Sequence, residues 1–472
     1  MQRPATLGEL KASGYRPVSV KEEMRRNLIR MLRGNQPLFP GIHGYDHTVI
    51  PEICNAILSK HDMLLLGLRG QAKTRIIRML TRFLDDYIPV LAGTPTNDNP
   101  FAPISREGKD LVEHFGDNAP IAWLSRDERY HEKLATPDVT VADLIGEIDL
   151  IKHAEGKYLT DERIIHYGLI PRSNRGIFAI NELSDLSPKI QVALFNVLEE
   201  RDIQIRGFPV RLPLDICLVF TANPEDYTNR GRIVTPLKDR IGSVIRTHYP
   251  RDRQTGITIM ESNASIQRDT LSVFVPDYIK AIVEETARLA RQSPAVNQMS
   301  GVSVRFSIAS MENVISNAER RALLLREPAA VPRISDLLYL TASGRGKIEL
   351  VLSEDESHED RVLQKLIGEA VKNLFVEQFD PKNLRPIVDW FDSGHSFFIG
   401  DMVPSREYWD QLERVPALRK EVMERLSEWA GRVPSEARDA LAASLTEWIL
   451  EGLYVHNKIS KALKEGRVAY RR

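Results

Sequence analysis

Residues 62–80, DMLLLGLRGQAKTRIIRML, constrain the fold of this chain more than any other stretch. The apolar run Met63–Leu66 ends at a glycine, the segment GLRGQAKT follows, and Ile76, Ile77 and Leu80 then recur at helical spacing. This order predicts a strand, a tight loop and a helix. It is the order of a phosphate-binding Walker A loop, in which backbone N–H groups and a lysine surround phosphate oxygens.

The residue types in the loop fit such a site. Gly67 and Gly70 let the backbone turn, Lys73 can reach the terminal phosphates, and the Thr74 hydroxyl can ligate magnesium. Ala72 departs from the GxxxxGKS/T pattern, and a positive φ at that alanine would cost about 1 kcal/mol. A glycine-rich turn that merely precedes a lysine is the alternative. The predicted nucleotide contacts are Gly67, Gly70, Gln71, Ala72, Lys73 and Thr74.

The composition is that of a folded protein rather than a polycation. Hydrophobic residues make up 42% and charged residues 27% of the 472 residues, which suits two to four domains. A formal net charge of -1 argues against a role in wrapping nucleic acid. Cys54 and Cys217 lie far apart, so we expect buried free thiols in a reducing compartment. Neither a signal-peptide core nor an apolar run of about 18 residues occurs, and a cytoplasmic protein without a membrane span is expected.

A basic segment opens the chain. Residues 1–35 carry eight lysines and arginines against three glutamates. They predict an amphipathic helix with Leu28, Ile29 and Leu32 inward, and binding to nucleic acid or a membrane is the minor alternative.

A short glycine turn, FPGIHGY, precedes the first strand at residues 39–45. Many P-loop ATPases hold the adenine at this point of the chain. Ile42, His43, Gly44 and Tyr45 are therefore candidate base contacts, although His43 fits a surface histidine equally well.

The sequence between the loop helix and residue 170 is less regular. Residues 87–92 predict a second strand, and the Pro- and Asn-rich residues 93–141 predict a long ordered excursion rather than another core layer. Alternating residues around Ile148 and Leu150, and around Lys157 and Tyr158, predict a β-hairpin set into a helix. Helical spacing is expected to resume at residues 164–165.

A fully apolar strand at residues 177–180 is followed directly by Asn181 and Glu182. Ligands of open α/β sheets lie at the carboxyl edge of the strands, so this is the arrangement of a Walker B motif. Glu182 could orient and polarise the water that attacks the γ-phosphate, and Asn181 would hold the metal through its water shell. Because an amide replaces the usual aspartate at Asn181, weaker magnesium binding and less efficient hydrolysis are expected.

Further downstream, Ser187 and Pro188 predict the start of a helix, and DIQIRGFPVRL predicts a hairpin. A third apolar strand at residues 216–220 ends at Asn223, which could position the water or contact the γ-phosphate. A turn asparagine before a proline is the alternative for Asn223. A helix end with Asp239 and Arg240 and a strand at residues 244–249 follow.

In this order, the segments resemble the AAA+ ATPases of the magnesium-chelatase I-subunit and MoxR-like clade over about residues 35–345. The matching motifs are FPGIHGY, GLRGQAKT, LIGEIDL, GLIPRSNRGIFAINEL, FTANPEDY, PLKDRIGS and GVSVRFS. The resemblance implies phosphate and magnesium roles for Lys73 and Thr74 and a catalytic role for Glu182. It further assigns sensor 1 to Asn223, an arginine finger to Arg240 and sensor 2 to Arg305.

The fold class implied is α/β: a P-loop AAA+ module with a five-stranded parallel sheet and a helix-2 insertion hairpin, an all-α lid and a C-terminal helical region. The expected divisions are a basic N-terminal helical segment (1–35), the nucleotide-binding domain (36–251), the lid (252–345) and a C-terminal helical domain (346–472). Four tryptophans in that last domain are expected to form a small helical core rather than a ligand-binding pocket. A docking surface for a partner is the alternative.

The function implied is an ATP- and Mg²⁺-dependent ring protein, expected as a hexamer, that remodels a partner or assists metal-cofactor insertion. A von Willebrand factor A domain protein is the partner the resemblance implies. The alternatives are the motor subunit of a metal chelatase and a nucleotide-binding scaffold with little hydrolysis. A sigma-54 activator would need a GAFTGA-like loop, which the sequence lacks.

Overall fold

A computed structural model of the chain describes residues 3–148, 164–205, 211–228, 233–351, 356–429, 431–464 and 467–472. The chain divides into two compact units, Met1–His248 and Tyr249–Arg472.

The first unit is built on one five-stranded parallel sheet. Its strands in chain order are Met63–Leu66 (β1), Tyr130–Leu134 (β2), Gly176–Asn181 (β3), Ile216–Ala222 (β4) and Ser243–Arg246 (β5). They lie side by side in the order β5-β1-β4-β3-β2, and every neighbouring pair is parallel. All residues of β1, β3 and β4 are buried, because both faces of these strands are covered. The predicted α/β class with a five-stranded parallel sheet is thus confirmed.

Two details of the predicted sheet are wrong. Tyr87–Leu91 is a strand, but it pairs antiparallel with Ile121–Ser125 and lies outside the parallel sheet. The fifth strand, β2, instead comes from the excursion that the sequence predicted to be irregular. Its sequence, YHEKL, has no apolar run because an edge strand is only half buried, so hydrophobic patterning does not detect it.

Helices cover both faces of this sheet. One face packs against Val20–Arg33, Val49–Leu58 and Lys73–Met79, and the other packs against Pro188–Ala193, Phe195–Glu199 and Thr235–Arg240. The remaining α-helices described in this unit are Leu7–Ala12, Arg106–Phe115, Val141–Leu144, Leu169–Arg172 and Pro224–Thr228.

The basic N-terminal segment packs against the same sheet. A buried ion pair joins Glu23 to Arg129, whose two terminal nitrogens lie 2.7 and 2.6 Å from the two carboxylate oxygens. The predicted inward face is partly wrong: Leu28 is buried, but Leu32 is 44% exposed. Helical geometry instead turns Met24 and Met31 inward with Leu28, at spacings of four and three residues.

Two short hairpins follow the excursion. Gly146–Ile148 pairs antiparallel with Ile165–Tyr167, so the expected return of helical spacing at residues 164–165 is wrong. The predicted turn with Leu150, Lys157 and Tyr158 lies outside the described residues. The second hairpin pairs Asp202–Gln204 with Arg211–Pro213, as predicted.

The second unit is mainly helical around one continuous hydrophobic core. A strand Phe397–Ile399 pairs with Arg467–Arg471, which pairs with Ser460–Lys464, and this small antiparallel sheet adds to the predicted helical architecture. A further two-residue pair joins Ser272–Val273 to Ala329–Ala330. The described α-helices are Arg253–Asn263, Asp277–Ala290, Val304–Leu325, Leu340–Gly344, Glu356–Gln378, Arg385–Asp392, Ser405–Leu412, Pro416–Glu428 and Arg438–Val455.

Trp448 is fully buried in this core and stacks on Tyr278, as expected for a structural aromatic cluster. Both cysteines of the chain are free and buried, which confirms that prediction. Across the described ranges, no helix is both long and apolar enough to cross a lipid bilayer.

Candidate functional site

The predicted phosphate-binding loop connects β1 to the helix Lys73–Met79. Gly67 continues the sheet by donating its N–H to the Ala222 carbonyl at 3.1 Å. A Cβ atom on Gly67 would lie 1.8 Å from the Thr247 hydroxyl oxygen, so only glycine fits there. Gly70 has φ +74°, the left-handed conformation that glycine adopts without strain. Both predicted glycines therefore have a steric or conformational reason to be in the loop.

Ala72 adopts the left-handed conformation as well, with φ 59° and ψ 13°. The loop therefore keeps the backbone that a glycine would take, at a cost of about 1 kcal/mol for the methyl group. Thr74 follows one residue into the helix and is exposed, so its hydroxyl is open to a ligand.

Side chains from two other elements brace the loop. The Tyr45 hydroxyl lies 3.0 Å from the Gln71 carbonyl oxygen and 2.8 Å from that of His248. The Thr247 hydroxyl donates to the Gln71 side-chain oxygen at 2.7 Å. Tyr45 and Gln71, both predicted nucleotide contacts, are thus structural partners of the loop. Of the other predicted base contacts, Ile42 is buried, His43 is half-buried and Gly44 is exposed.

Lys73, Asn223 and Glu182 form a row at the carboxyl edge of β1, β4 and β3. The Lys73 ammonium lies 3.4 Å from the Asn223 amide oxygen, and the Asn223 amide nitrogen lies 3.4 Å from a Glu182 carboxylate oxygen. Lys73 also donates to the carbonyl oxygens of Gly67 and Leu68. The structure thus brings together three side chains that the sequence placed at three separate strand ends.

Burial changes the pKa values of the two ionisable groups in this row. Desolvation lowers the pKa of Lys73, and the carboxylates of Glu182 and Asp226 oppose that change. Desolvation raises the pKa of Glu182, while Lys73 opposes the rise. The two groups are therefore an opposite-charge pair in a partly dry site.

Glu182 is held in an uncommon backbone conformation. Its φ is 56° and its ψ is 55°, a left-handed conformation for a residue with a side chain. Its N–H donates to the Thr221 hydroxyl at 2.9 Å. Strain of this kind, about 1–3 kcal/mol, is concentrated at functional sites.

Asp226 is a site residue that the sequence reasoning missed. It is buried on the helix Pro224–Thr228 and accepts a 3.0 Å hydrogen bond from the Ser184 hydroxyl. Its charge acts on both Lys73 and Glu182. Its place three residues after Asn223, on the helix Pro224–Thr228 that follows directly, is the signal that could have identified it.

Asn181 lies buried at the end of β3. Its side-chain oxygen is buried without a hydrogen-bond partner. The pKa of Glu132 on the neighbouring strand β2 is lowered chiefly by Arg78, with smaller contributions from Tyr130 and from the Asn181 side chain. Glu132 also accepts hydrogen bonds from Arg78 and Tyr130, at 3.1 and 2.7 Å to the same oxygen. The sequence reasoning did not identify Glu132, because it did not detect strand β2.

The two predicted arginines lie in different units. Arg240 donates to the Glu199 carboxylate at 2.7 Å and to the Pro236 carbonyl at 2.9 Å, and its guanidinium lies over the Phe195 ring. Arg305 belongs to the second unit, where it is exposed in the first turn of the helix Val304–Leu325.

The donors at the loop suit Mg²⁺ held partly by a nucleotide. No cluster of three or more His, Cys, Asp or Glu able to hold a metal ion occurs among the described residues. Magnesium commonly binds through one or two protein ligands, phosphate oxygens and waters. The exposed Thr74 hydroxyl, the unpartnered Asn181 oxygen and the Glu182 carboxylate are oxygen donors of the kind that magnesium prefers.

Comparison with known proteins supports this fold. Residues 121–241 match the family model "AAA domain (dynein-related subfamily)". This range includes Glu182, Asn223 and Arg240, and the loop at Gly67–Thr74 lies before it.

Curated relatives match over part of the chain. The hydrogenase transcriptional regulatory protein HoxA of Cupriavidus necator is 31% identical over 190 residues, which is 39% of this chain and 37% of that protein. The uncharacterized protein YeaC of Bacillus subtilis is 28% identical over 181 residues, 35% of this chain and 54% of that protein. The chain thus spans about a third to a half of the length of these two relatives.

The chain is also similar to a solved structure of the complex between the magnesium chelatase subunits BchI and BchD. The alignment spans 70% of this chain and 100% of the matched chain. Its sequence identity is 19% and its TM-score is 0.36.

Proposed function

Because this chain carries an AAA domain on a P-loop fold, we propose that it binds ATP with Mg²⁺ and hydrolyses the γ-phosphate. The row formed by Lys73, Asn223 and Glu182 is the observation that carries this proposal. It joins a cation for phosphate oxygens, a polar amide and a carboxylate at one edge of the sheet.

The role of each residue in the proposed site follows from the chemistry of its side chain. Lys73 would stabilise negative charge on the terminal phosphates. Thr74 and Asn181 would hold Mg²⁺ through their side-chain oxygens, and the ion would neutralise charge on the transferred group. Glu182 accepts a hydrogen bond from the attacking water and orients it. Asn223 lies between Glu182 and Lys73 and fixes their relative positions. The water held by Glu182 is then placed for in-line attack on the phosphate held by Lys73. Desolvation lowers the pKa of Lys73, and the negative charges of Glu182 and of buried Asp226 oppose that change.

The proposal includes assembly of the chain into a ring, expected to be a hexamer, in which Arg240 acts on the nucleotide of a neighbouring subunit. Arg240 contacts Glu199 of its own subunit. The family resemblance implies that this arginine binds the γ-phosphate of the nucleotide in a neighbouring subunit. In the same proposal Arg305 is sensor 2, and Ile42, His43, Gly44 and Tyr45 surround the base. Energy from hydrolysis would then remodel a partner protein or assist insertion of a metal cofactor, with a von Willebrand factor A domain protein as the proposed partner in the cytoplasm.

Two alternatives share the same nucleotide site. A metal-chelatase motor would act together with a tetrapyrrole-binding subunit. A nucleotide-binding scaffold with little hydrolysis is favoured by one specific observation, the neutral Asn181 in place of an acid.

Steady-state phosphate release from ATP by the purified chain, beside its Glu182→Gln variant, tests the proposal. We expect slow but Mg²⁺-dependent turnover that falls by about 100-fold or more in the variant, roughly 3 kcal/mol of barrier. Equal residual phosphate release from both proteins would reject hydrolysis and leave the scaffold.

A further inference from the structure

Glu132 and Asn181 lie close together on one face of the sheet. Strand β2 pairs with β3 so that Glu132 is beside Ala179 and Leu134 is beside Asn181. Residues two apart on a strand share a face, which places Glu132 and Asn181 diagonally across the strand pair, within reach of a long side chain. The pKa of the Glu132 carboxyl is lowered chiefly by Arg78, with smaller contributions from Tyr130 and from the Asn181 side chain.

The Glu132 carboxylate is itself held from two directions. Arg78 donates to both of its oxygens, at 3.1 Å from Nε and by a second contact from a terminal nitrogen. The Tyr130 hydroxyl donates to it at 2.7 Å. Arg78 lies one helical turn after Thr74 on the helix Lys73–Met79, so this carboxylate is tied to the helix that begins at the phosphate-binding loop.

These contacts fix which end of the Asn181 amide faces which way. A carboxylate only accepts hydrogen bonds, so the NH₂ group of Asn181 must face Glu132. The amide oxygen then points elsewhere, and it is the atom that is buried without a hydrogen-bond partner. A buried acceptor without a partner destabilises the folded chain, and a ligand at that atom would remove this cost.

We propose that Glu132 is a positioning residue, which turns the Asn181 amide so that its oxygen faces the Mg²⁺ site. This inference rests on the proposed nucleotide function. The negative charge that an aspartate would carry at position 181 is thus located one strand away, on Glu132, and the metal-facing atom is a neutral oxygen. Glutamate at 132 and asparagine at 181 form a matched pair.

The matched pair makes a distinctive prediction about aspartate at position 181. In Asn181→Asp, two carboxylates would lie side by side, and their like charges would repel each other. Aspartate should therefore help magnesium binding only when Glu132 is also replaced by an amide. Glutamine at 132 could donate its own NH₂ group to the new carboxylate.

The experiment measures binding of a fluorescent ATP analogue, first in excess EDTA and then across a Mg²⁺ titration. It compares the parent chain, Glu132→Gln, Asn181→Asp and the double variant, with the exposed Glu113→Gln as a matched control. Circular dichroism melts check that each variant is folded.

We expect Glu132→Gln to raise the Mg²⁺ concentration at half-saturation by about tenfold or more, the usual effect of losing a partner that orients a metal ligand. Its affinity in EDTA should equal that of the parent. Asn181→Asp alone should give no improvement over the parent, and the double variant should bind Mg²⁺ at least as well as the parent.

Two results would overturn the inference while leaving nucleotide binding in place. One is a folded Glu132→Gln variant with the Mg²⁺ dependence of the parent. The other is an Asn181→Asp variant that tightens Mg²⁺ binding equally with Glu132 or Gln at position 132. A parent chain that binds no analogue in either condition would overturn the proposed function and this inference together.

Discussion

The Lys73 ammonium lies 3.4 Å from the side-chain oxygen of Asn223, although 150 residues separate them in the chain. Lys73 begins the helix after β1, and Asn223 follows the end of the adjacent parallel strand β4. Parallel strands end at the same edge, so their following residues meet there. The juxtaposition is thus a consequence of the sheet order, and the same edge brings in Glu182 from β3.

The raised pKa of Glu182 predicts how its removal affects stability. Burial disfavours the charged carboxylate, so the folded state is destabilised as pH rises through the folded-state pKa. Glu182→Gln should therefore unfold at a higher urea concentration than the parent at pH 7. The difference should vanish below about pH 4, where the carboxylate is neutral in both folded and unfolded chains. A variant that is less stable than the parent at pH 7 would contradict this assignment.

The left-handed Ala72 predicts a stabilising substitution. Ala72→Gly should raise the free energy of unfolding by up to about 1 kcal/mol, since glycine adopts φ 59° without a steric penalty. Urea denaturation measures this change. Ala102→Gly is the control, because this exposed alanine is not among the described residues with positive φ, and glycine there should be neutral or slightly destabilising. Similar effects at both positions would argue against strain at Ala72.

The ion pair of Glu23 and Arg129 predicts that the N-terminal helix is needed for the stability of the first unit. Glu23→Gln leaves a guanidinium buried without its counter-charge, which should cost about 3–5 kcal/mol in urea denaturation. The exposed pair of Lys11 and Asp117 is the control, and Asp117→Asn should cost less than about 1 kcal/mol. Equal small losses at both sites would mean that the buried pair contributes little.

The strongest elements of this fold could be predicted from sequence because they are apolar runs next to diagnostic polar residues. Strands β1, β3 and β4 are buried on both faces, and Lys73, Glu182 and Asn223 follow them directly. Strand β2 could not be found this way, since its YHEKL sequence is half exposed and acquires its register only by pairing with β3. Glu132 was missed with it. The bracing of Gln71 by Thr247 likewise depends on contacts between distant segments.

An arginine that acts on a neighbouring subunit predicts complementation between inactive variants. Arg240→Ala should retain ATP binding but lose about 10³–10⁵ in turnover, because its charge would no longer stabilise the transferred phosphoryl group. Mixing Arg240→Ala with Lys73→Ala should restore some hydrolysis, since certain interfaces then pair an intact loop with an intact arginine. Glu199→Gln is the control for the contact within one subunit, and it should remain active. Mixed rings that form without regaining activity would place the action of Arg240 in its own subunit.

Nucleotide binding at the loop is the central claim, and the affinity of Lys73→Ala for a fluorescent ATP analogue with Mg²⁺ tests it most directly. The loss of charge-assisted hydrogen bonds to phosphate should weaken binding by at least about tenfold while circular dichroism shows an intact fold. Lys189→Ala, which removes an exposed lysine of the same unit, should bind as the parent does. An equal affinity in the parent, Lys73→Ala and Lys189→Ala would contradict the assignment of this loop as the nucleotide site.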